Sequence, residues 1–279
     1  MSLSRELGEI TEYRGVEGLV CAEVLKDNNE SGEGYVTGDV FSIAGVAEIS
    51  RTTESSNESH YYDNMPAIVI SSTGADEITI TASAIPFDVL AKMTGQNYDE
   101  ATGALIEGPR ETKYFALGYK TKKTNGDEVY VWRYKGTFNI PDSTHATEND
   151  GTDANGQEIT YTGISTTHKF DKTGKGAKAL NVDLGKGLAD VSTFFDEVTT
   201  PDDLQAKAAY SLTITQAEGT VVTVKKGNTT LSTGATIHAG DVLTISVTGG
   251  TLKVNNETFT SGNTHTVTAN VTVVSTAQG

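Results

Sequence analysis

The amino-acid sequence predicts a mainly β protein with minor helix, and three observations support this fold class. The 279 residues include 29 glycines and only 5 prolines, so turn residues are frequent while few positions forbid strand hydrogen bonding. Apolar residues recur at every second position in several stretches, which is the period of a half-buried strand. Helical periodicity is convincing in only two short stretches, near residues 86–93 and 200–204.

A polar segment interrupts the predicted strands early in the chain. Tyr35–Ile49 carries apolar residues at period two and is broken by Gly38 and Gly45, which indicates one strand or a bent strand pair. Arg51–Ser59 then contains no apolar residue, and apolar character resumes at Ala67–Ile70. So polar a segment buries too little surface by itself to offset the conformational entropy that it loses on ordering.

Two interpretations of this segment remain open. It is a flexible surface loop, or it is an arm, from Ser50 to Asn64, that becomes ordered against a neighbouring subunit. Tyrosine is enriched at protein interfaces because it joins a large apolar ring to a polar hydroxyl. On the second interpretation, the predicted contact residues between subunits are His60, Tyr61, Tyr62, Asp63 and Asn64.

The clearest hairpin is predicted near the middle of the chain. Thr112–Lys120 and Glu128–Asn139 flank the dipeptide Asn125-Gly126, which favours a two-residue hairpin turn. Strict alternation along the second strand places four aromatic residues on one face, where we expect them to form core. These residues are Tyr130, Trp132, Tyr134 and Phe138.

Shorter signals predict the other elements of the first 200 residues. Pro86–Met93 is predicted as a helix, because proline suits the first turn and Gly95 follows the last. Val191–Val198 predicts a closing strand or a docking contact, and Thr200–Leu204 predicts the start of a short helix or a linker. Further strands are predicted at Val16–Leu25, Ala67–Ile70, Glu77–Ala82 and Glu158–Phe170.

Composition and charge change near residue 208 and predict a domain boundary there. Residues 208–279 hold three acids and three bases, so the whole net charge of −16 lies in the preceding part of the chain. They also hold 18 threonines and frequent turn residues, which predicts a small β-sandwich. Its predicted strands are Ser211–Thr215, Val221–Lys225, Val242–Val247, Thr251–Val254 and Thr266–Val274. We therefore predict a domain over residues 1–200, a linker over 201–209 and a module over 210–279.

The sequence predicts neither catalysis nor a metal or cofactor site. The five histidines form no pair at metal-ligand spacing, and nucleophile-elbow, Cys-x-x-Cys and phosphate-loop motifs do not occur. The net charge of −16 disfavours nucleic-acid binding, and no apolar run reaches the roughly 18 residues of a membrane helix. The start of the chain has no apolar core of signal-peptide length, so we expect no export by that route. Cys21, the single cysteine, is predicted to be a buried, inert thiol.

The order of these elements resembles that of the major tail proteins, the tail-tube subunits, of long-tailed bacteriophages (siphophages) that infect Gram-positive bacteria. The resemblance covers residues 1 to about 200. It lies in the β-rich start, the arm with Tyr61-Tyr62-Asp63-Asn64, the strands that follow it and the helix entry Ile85-Pro86-Phe87. It implies a tail-tube β-sandwich or barrel with a short flanking helix and a long arm. Residues 210–279 resemble the immunoglobulin-like modules appended to some phage tail proteins in composition and strand pattern, and no specific motif supports this resemblance.

This resemblance implies a structural virion protein and not an enzyme. Its copies are expected to close hexameric rings that stack into a tube around a tape-measure protein, next to tail terminator and distal tail proteins. DNA would pass through the lumen without specific binding, and host-surface glycans are the candidate ligands of the last module. The implied location is the phage tail, after assembly in the host cytoplasm, and a tail-derived bacteriocin would look the same. The alternative function is a β-sandwich surface adhesin or carbohydrate-binding protein.

Overall fold

The computed structural model describes residues 10–29, 34–143 and 156–278, and they divide into two compact units. The first unit runs to Gly185 and also includes Val191–Leu204. The second consists of Lys186–Asp190 and the chain from Gln205 onward. The segment predicted as a linker is therefore shared, with residues 201–204 in the first unit and 205–209 in the second.

Within the described residues, the first unit contains one α-helix and eleven strands, of which the fourth and fifth are the longest. The helix, α1, spans Phe87–Thr94, and a single 3-10 turn spans Leu184–Lys186. The strands are β1 (Tyr13–Asp27), β2 (Tyr35–Thr37), β3 (Phe41–Ser42), β4 (Val46–Tyr62), β5 (Met65–Ala82), β6 (Asn97–Asp99), β7 (Ala104–Ile106), β8 (Phe115–Lys123), β9 (Glu128–Phe138), β10 (Gln157–Ile164) and β11 (Ala179–Asp183).

Nine of these strands form one curled antiparallel sheet, so the predicted mainly β fold class is confirmed. The strand order is β2-β1-β8-β9-β10-β5-β4, with β3 on β1 and β11 on β9. One edge of β9 is shared, because its first half pairs with β11 and its last residues pair with β10. The strands β6 and β7 form a separate small hairpin.

The concave face of the sheet holds the main hydrophobic core, and α1 packs against it. Pro86 precedes the helix, and Gly95 ends it with a φ of 70° and an N–H that donates to the carbonyl of Ala91. The helix and its glycine stop are therefore confirmed. Leu90 and Met93 bury the inner side of the helix. The other buried side chains of this core include Leu19, Cys21, Ile43, Ile78, Ile80, Phe115, Leu117, Phe138, Ile159 and Tyr161.

The opposite face of β9 is covered by a segment from the end of the first unit. Trp132 is fully buried, and its indole N–H donates to the carbonyl of Phe194 at 2.8 Å. The Tyr134 hydroxyl donates to the carbonyl of Thr199 at 3.1 Å, and the ring of Phe195 lies 5.7 Å from that of Trp132. Of the two predictions for Val191–Val198, the docking contact is therefore correct, because these residues form turns and not a strand.

The prediction that four aromatic residues of β9 share one face is wrong for Phe138. The β8–β9 register shifts between the pairs Phe115–Gly136 and Leu117–Arg133, so β9 has one extra residue there. Such a bulge reverses the alternation of side chains beyond it. Phe138 consequently joins the concave core, whereas Trp132 lies on the opposite face.

Other predictions from the sequence are confirmed as elements but differ in their bounds. Tyr35–Ile49 forms β2, β3 and the start of β4, with Gly38 and Gly45 in the breaks. The strand predicted over Glu158–Phe170 ends at Ile164. Thr200–Leu204 forms turns and not a helix, although the Thr200 hydroxyl donates to the Asp203 carboxylate at 2.6 Å, as in a capped first turn.

The second unit consists of two facing sheets with a core of their own. Its strands are β12 (Ala209–Thr215), β13 (Val221–Lys226), β14 (Thr229–Leu231), β15 (Thr236–His238), β16 (Val242–Thr248), β17 (Gly250–Val254), β18 (Glu257–Phe259), β19 (Thr264–Thr266) and β20 (Val271–Ala277). One sheet has the order β15-β12-β20-β17-β18 and the other β14-β13-β16-β19. The strand predicted over Thr266–Val274 is divided, because the chain crosses from one sheet to the other between β19 and β20.

Candidate assembly surface

The β4–β5 hairpin extends well beyond the sheet to which it belongs. Ala82 to Asp76 of β5 pair with β10, and Asp76 faces Thr53 of β4. Beyond that point β4 and β5 pair only with each other, over residues 54–75, which we call the arm. Tyr62 lies nine positions after Thr53, so at a rise of about 3.3 Å per residue the arm extends about 30 Å.

A two-residue turn closes the arm at its tip. Asp63 and Asn64 have φ angles of 51° and 61°, in the left-handed region. Asn and Asp are the non-glycine residues that tolerate this region best, and two such residues form the turn that matches the twist of a hairpin. Asp63 and Asn64 therefore shape the tip of the arm.

The two faces of the arm differ in chemistry. Paired residues in a hairpin lie on the same face, and the 2.7 Å hydrogen bond between the hydroxyls of Ser56 and Ser72 shows this for one pair. The face that carries this pair continues, after a bulge near Ala67, to an apolar group that we call the apolar face. Its large apolar side chains are Tyr62, Met65, Ile68 and Ile70, and the same face also carries His60 and, paired with Ile70, the carboxylate of Glu58.

The reverse side of the arm, called here the polar face, carries smaller and more polar groups. Asn57 pairs with Ser71, and Ser59 pairs with Val69. Tyr61 belongs to the same face, so this side holds two large side chains among hydroxyl and amide groups. Neighbouring residues of a strand point to opposite sides, which is why Tyr61 and Tyr62 are separated.

The large apolar side chains of the arm are exposed in the single chain. The exposed fractions are 61% for Tyr62, 68% for Met65, 50% for Ile68 and 56% for Ile70 on the apolar face. On the polar face, Tyr61 is 65% exposed and Val69 is 59% exposed. Monomeric proteins rarely display a contiguous apolar surface of this kind, and such surfaces mark interaction sites.

A buried charge cluster lies at the root of the arm. The carboxylate of Asp76 accepts from Arg133 Nη1 at 2.6 Å, from Thr53 Oγ1 at 2.9 Å and from Lys178 Nζ at 3.2 Å. Lys178 Nζ also donates to the carbonyl of Gly74, and Arg51 lies 3.8 Å from the same carboxylate. The cluster joins β5 and β4 to β9 and to the residue before β11, so it fixes the arm to the sheet where β10 ends.

The pKa of Asp76 reflects these contacts. Burial alone raises the pKa of a carboxyl group, because it disfavours the charged form. Here the hydrogen bonds from Thr53 and Lys178 and the charge of Arg133 outweigh burial, and the pKa of Asp76 lies below its ordinary value. The carboxylate is therefore charged at neutral pH and holds the cations of the cluster in place.

A scan against protein-family models matches residues 37–198 to the phage tail tube protein family. The match covers more than half of the chain, and it spans the arm and the strands of the curled sheet from β3 to β11. The chain belongs to the phage tail tube protein family. A search of curated proteins returned no match.

Membership in the phage tail tube protein family assigns the chain a structural role in the tail of a virion. Subunits of a tail tube assemble with one another and with other tail proteins. Within the described residues, no group of three or more His, Cys, Asp or Glu side chains could hold a metal ion. The helices of that part of the chain are also too short and too polar to cross a membrane.

The arm of this tail tube protein differs in extent from the arm predicted from the sequence. Ser50 and Thr53 belong to the sheet, whereas the return strand from Met65 to Thr73 belongs to the arm. The sequence predicted His60–Asn64 as contact residues between subunits, whereas Ala67–Ile70 was predicted only as the strand that returns to the sheet. The position of Ala67–Ile70 could have shown that it belongs to the arm. This apolar run follows the turn directly, and the strand that pairs with it has no apolar residue between Arg51 and Ser59.

Proposed function

We propose that this tail tube protein forms hexameric rings, which stack into the tail tube of a siphophage of Gram-positive bacteria. The observation that carries the proposal is the arm, about 30 Å long, whose large apolar side chains are exposed because none of the described residues covers them. A contact from a projecting element to a different surface of the next copy produces rings or filaments, since the two surfaces are not the same patch. The arm is proposed to bridge successive rings.

The tube would enclose a tape-measure protein and later conduct DNA. The net charge of −16 is favourable for a conduit, because acidic groups repel phosphate and keep DNA from adhering to the wall. Tail terminator and distal tail proteins would complete the ends of the tube. Assembly is proposed to take place in the host cytoplasm.

The second unit is proposed to be an immunoglobulin-like module that is dispensable for tube assembly. Two features support this role. Its core is a separate cluster that includes Leu212, Val224, Ile245, Leu252 and Val273, and its charge is balanced, unlike that of the first unit. Such a module suits a location on the exterior of the tube, with host-surface glycans as candidate ligands. Removal of residues 208–279 should leave tubes intact but thinner in electron micrographs.

The purified full chain tests the proposed function directly. Negative-stain microscopy and sedimentation should show rings or tubes with a central channel as the protein concentration rises. Tail proteins that start or end a tube can be added if nucleation is slow. Monomers alone, at high concentration and with those partners present, would contradict the proposal.

A further inference from the structure

We propose that the arm is a one-sided connector: its apolar face docks on the α1 end of a second copy, and its polar face makes no essential contact. This inference rests on the proposed function and specifies which surfaces of two copies meet. Three features of the molecule support it: the two faces of the arm differ, the strands place the arm and α1 at opposite ends of the sheet, and apolar side chains near α1 are exposed.

The asymmetry of the arm selects the docking face. Burial of apolar area stabilises an interface, whereas burial of hydroxyl and amide groups requires a matching partner for each. The apolar face presents four large apolar side chains, Tyr62, Met65, Ile68 and Ile70, and the carboxylate of Glu58 lies opposite Ile70 on the root side of this group, where it can stay at the solvated rim of an interface. On the polar face, Val69 lies between Asn57, Ser59 and Ser71, so docking on that side would bury polar groups together with it.

Strand directions place the tip of the arm and α1 at opposite ends of the sheet. β5 is antiparallel to β10, and β10 is antiparallel to β9, so β5 and β9 run in the same direction. β5 starts at Met65 in the arm and ends at Ala82, just before α1. β9 ends at Phe138, which lines the same small cleft as Met93 of α1. A single molecule therefore cannot cover its own arm with its own α1 end.

The α1 end carries exposed apolar side chains of its own. Phe87, the first residue of the helix, is 55% exposed, and Ile140, two residues after β9, is 49% exposed. Ile106, in the β6–β7 hairpin that packs on α1, is 54% exposed. These side chains and the apolar face of the arm are different surfaces at opposite ends, so their contact repeats from one copy to the next in a single direction.

Matched pairs of substitutions on the two faces test the docking face. Ile68→Ser with Ile70→Ser removes two apolar side chains from the apolar face, and Tyr61→Ser with Val69→Ser removes two of similar exposure from the polar face. If each buried side chain contributes at least about tenfold in affinity, the first pair should raise the critical concentration for polymerisation about 100-fold. The control pair should change it less than about threefold, and circular dichroism should show that both variants fold.

Cysteine pairs test the partner surface. The native Cys21 is fully buried, and burial raises the pKa of its thiol, so the wild-type chain provides an unreactive background. Ile68→Cys combined with Phe87→Cys or with Ile140→Cys should give a ladder of disulfide-linked oligomers when polymers are oxidised with copper phenanthroline. Val69→Cys combined with the same partners should give none.

The outcomes separate this inference from the proposed function. If the wild type forms no polymer under any condition, the proposed function fails before the inference is reached. If the wild type polymerises but the two serine pairs weaken assembly equally, the one-sided arm is wrong. If cysteines on the apolar face of a polymer link to sites other than the α1 end, or to another tail protein, the assigned partner surface is wrong.

Discussion

Two long hairpins of the first unit have similar local geometry and opposite surroundings. The β8–β9 hairpin turns at Asn125-Gly126, and the β4–β5 hairpin turns at Asp63-Asn64. In the first, Trp132 and Leu117 are fully buried on opposite sides of the sheet. In the second, Ile68 and Val69 are at least half exposed on opposite sides of the arm. Hydrogen bonding between two strands is therefore compatible with either environment, and the neighbouring elements decide where apolar side chains stabilise the monomer.

This comparison separates residues that fold the subunit from residues that join subunits. Substitutions in the β8–β9 hairpin should lower the free energy of unfolding of the monomer. Substitutions in the arm should leave that quantity unchanged and alter assembly instead.

The largest difference is expected between Trp132→Ala and Ile70→Ala. Trp132 packs against Phe195 and donates a hydrogen bond to the carbonyl of Phe194, so its removal leaves a cavity and takes one of two donors from that carbonyl, which keeps the hydroxyl of Thr199. We expect a loss of about 3–5 kcal/mol in the free energy of unfolding. Ile70→Ala should change it by less than about 0.5 kcal/mol, as for an exposed side chain. Urea unfolding measures both free energies. Circular dichroism is the probe, because Trp132 is the only tryptophan and its removal takes away the fluorescence signal. Equal losses would show that the arm is part of the cooperative fold.

The second prediction concerns the charge cluster at the root of the arm. In Asp76→Asn, Arg133 and Lys178 lose their common carboxylate; within the described residues, Arg133 Nε is already a buried donor without a partner. We expect a loss of about 3 kcal/mol at pH 7, near the lower limit for breaking a buried ion pair. Glu58→Gln, at an exposed position of the arm, is the control.

The pH dependence of this loss has a defined sign. The folded-state pKa of Asp76 is lowered, so its contribution to stability is present above the unfolded pKa of about 3.9 and is lost as the pH falls through the folded pKa. The difference between wild type and Asp76→Asn should therefore be constant above about pH 5 and shrink below about pH 4. A difference that stays constant to pH 2 would mean that the carboxylate charge is not what stabilises the root.

The third prediction compares two glycines. A Cβ atom on Gly136 of β9 would lie within 3.0 Å of the ring of Tyr161 and of the carbonyl oxygen of Thr162, neither of which can move freely. Gly136→Ala should cost about 1–3 kcal/mol by overpacking. A Cβ on Gly74, at the base of the arm, would lie 2.6 Å from the carboxylate of Glu54, which can rotate away, and 3.0 Å from the Cβ of Glu54, which the exposed two-stranded arm can relieve by a shift of a few tenths of an ångström. Gly74→Ala should be nearly neutral, and thermal unfolding ranks the two variants. A larger loss from Gly74→Ala would contradict the comparison.

Several elements were predictable from the sequence because their signals are local. The α1 helix follows from Pro86 and Gly95, and the β8–β9 hairpin follows from Asn125-Gly126 between alternating residues. The face of Phe138 was predicted wrongly, since a bulge of β9 between Arg133 and Gly136 reverses the alternation of side chains, and Gly136 was the one local signal of it. The 3-10 turn after β11 and the turns at Thr200–Leu204 depend on contacts from distant parts of the chain.

The arm was predictable as a feature but not in its extent or its faces. The polar stretch Arg51–Ser59 and the residues His60–Asn64 indicated a segment that leaves the sheet. The run Ile68–Ile70 has the composition of a buried strand, and composition alone does not reveal that, among the residues that the structure describes, no element covers it. The separation of Tyr61 from Tyr62 needs only the alternation of side chains along one strand, whereas the residues of β5 that share a face with each of them depend on the bulge near Ala67.

The smallest difference is expected at the two turns, where the same backbone requirement occurs in both hairpins. Gly126 has a φ of 92°, and a Cβ there would meet nothing within 4 Å, so the cost of Gly126→Ala comes from the backbone alone. That cost is about 1–2 kcal/mol for a residue with a side chain in the left-handed region, and it should appear in full in global unfolding. Asn64→Ala likewise places an alanine in the left-handed region, at a φ of 61°. Because the arm contributes little to the core, the global free energy of unfolding should stay constant, while amide hydrogen exchange near Tyr62 and Met65 becomes faster. A drop in global stability from Asn64→Ala as large as that from Gly126→Ala would show that the arm unfolds together with the sheet.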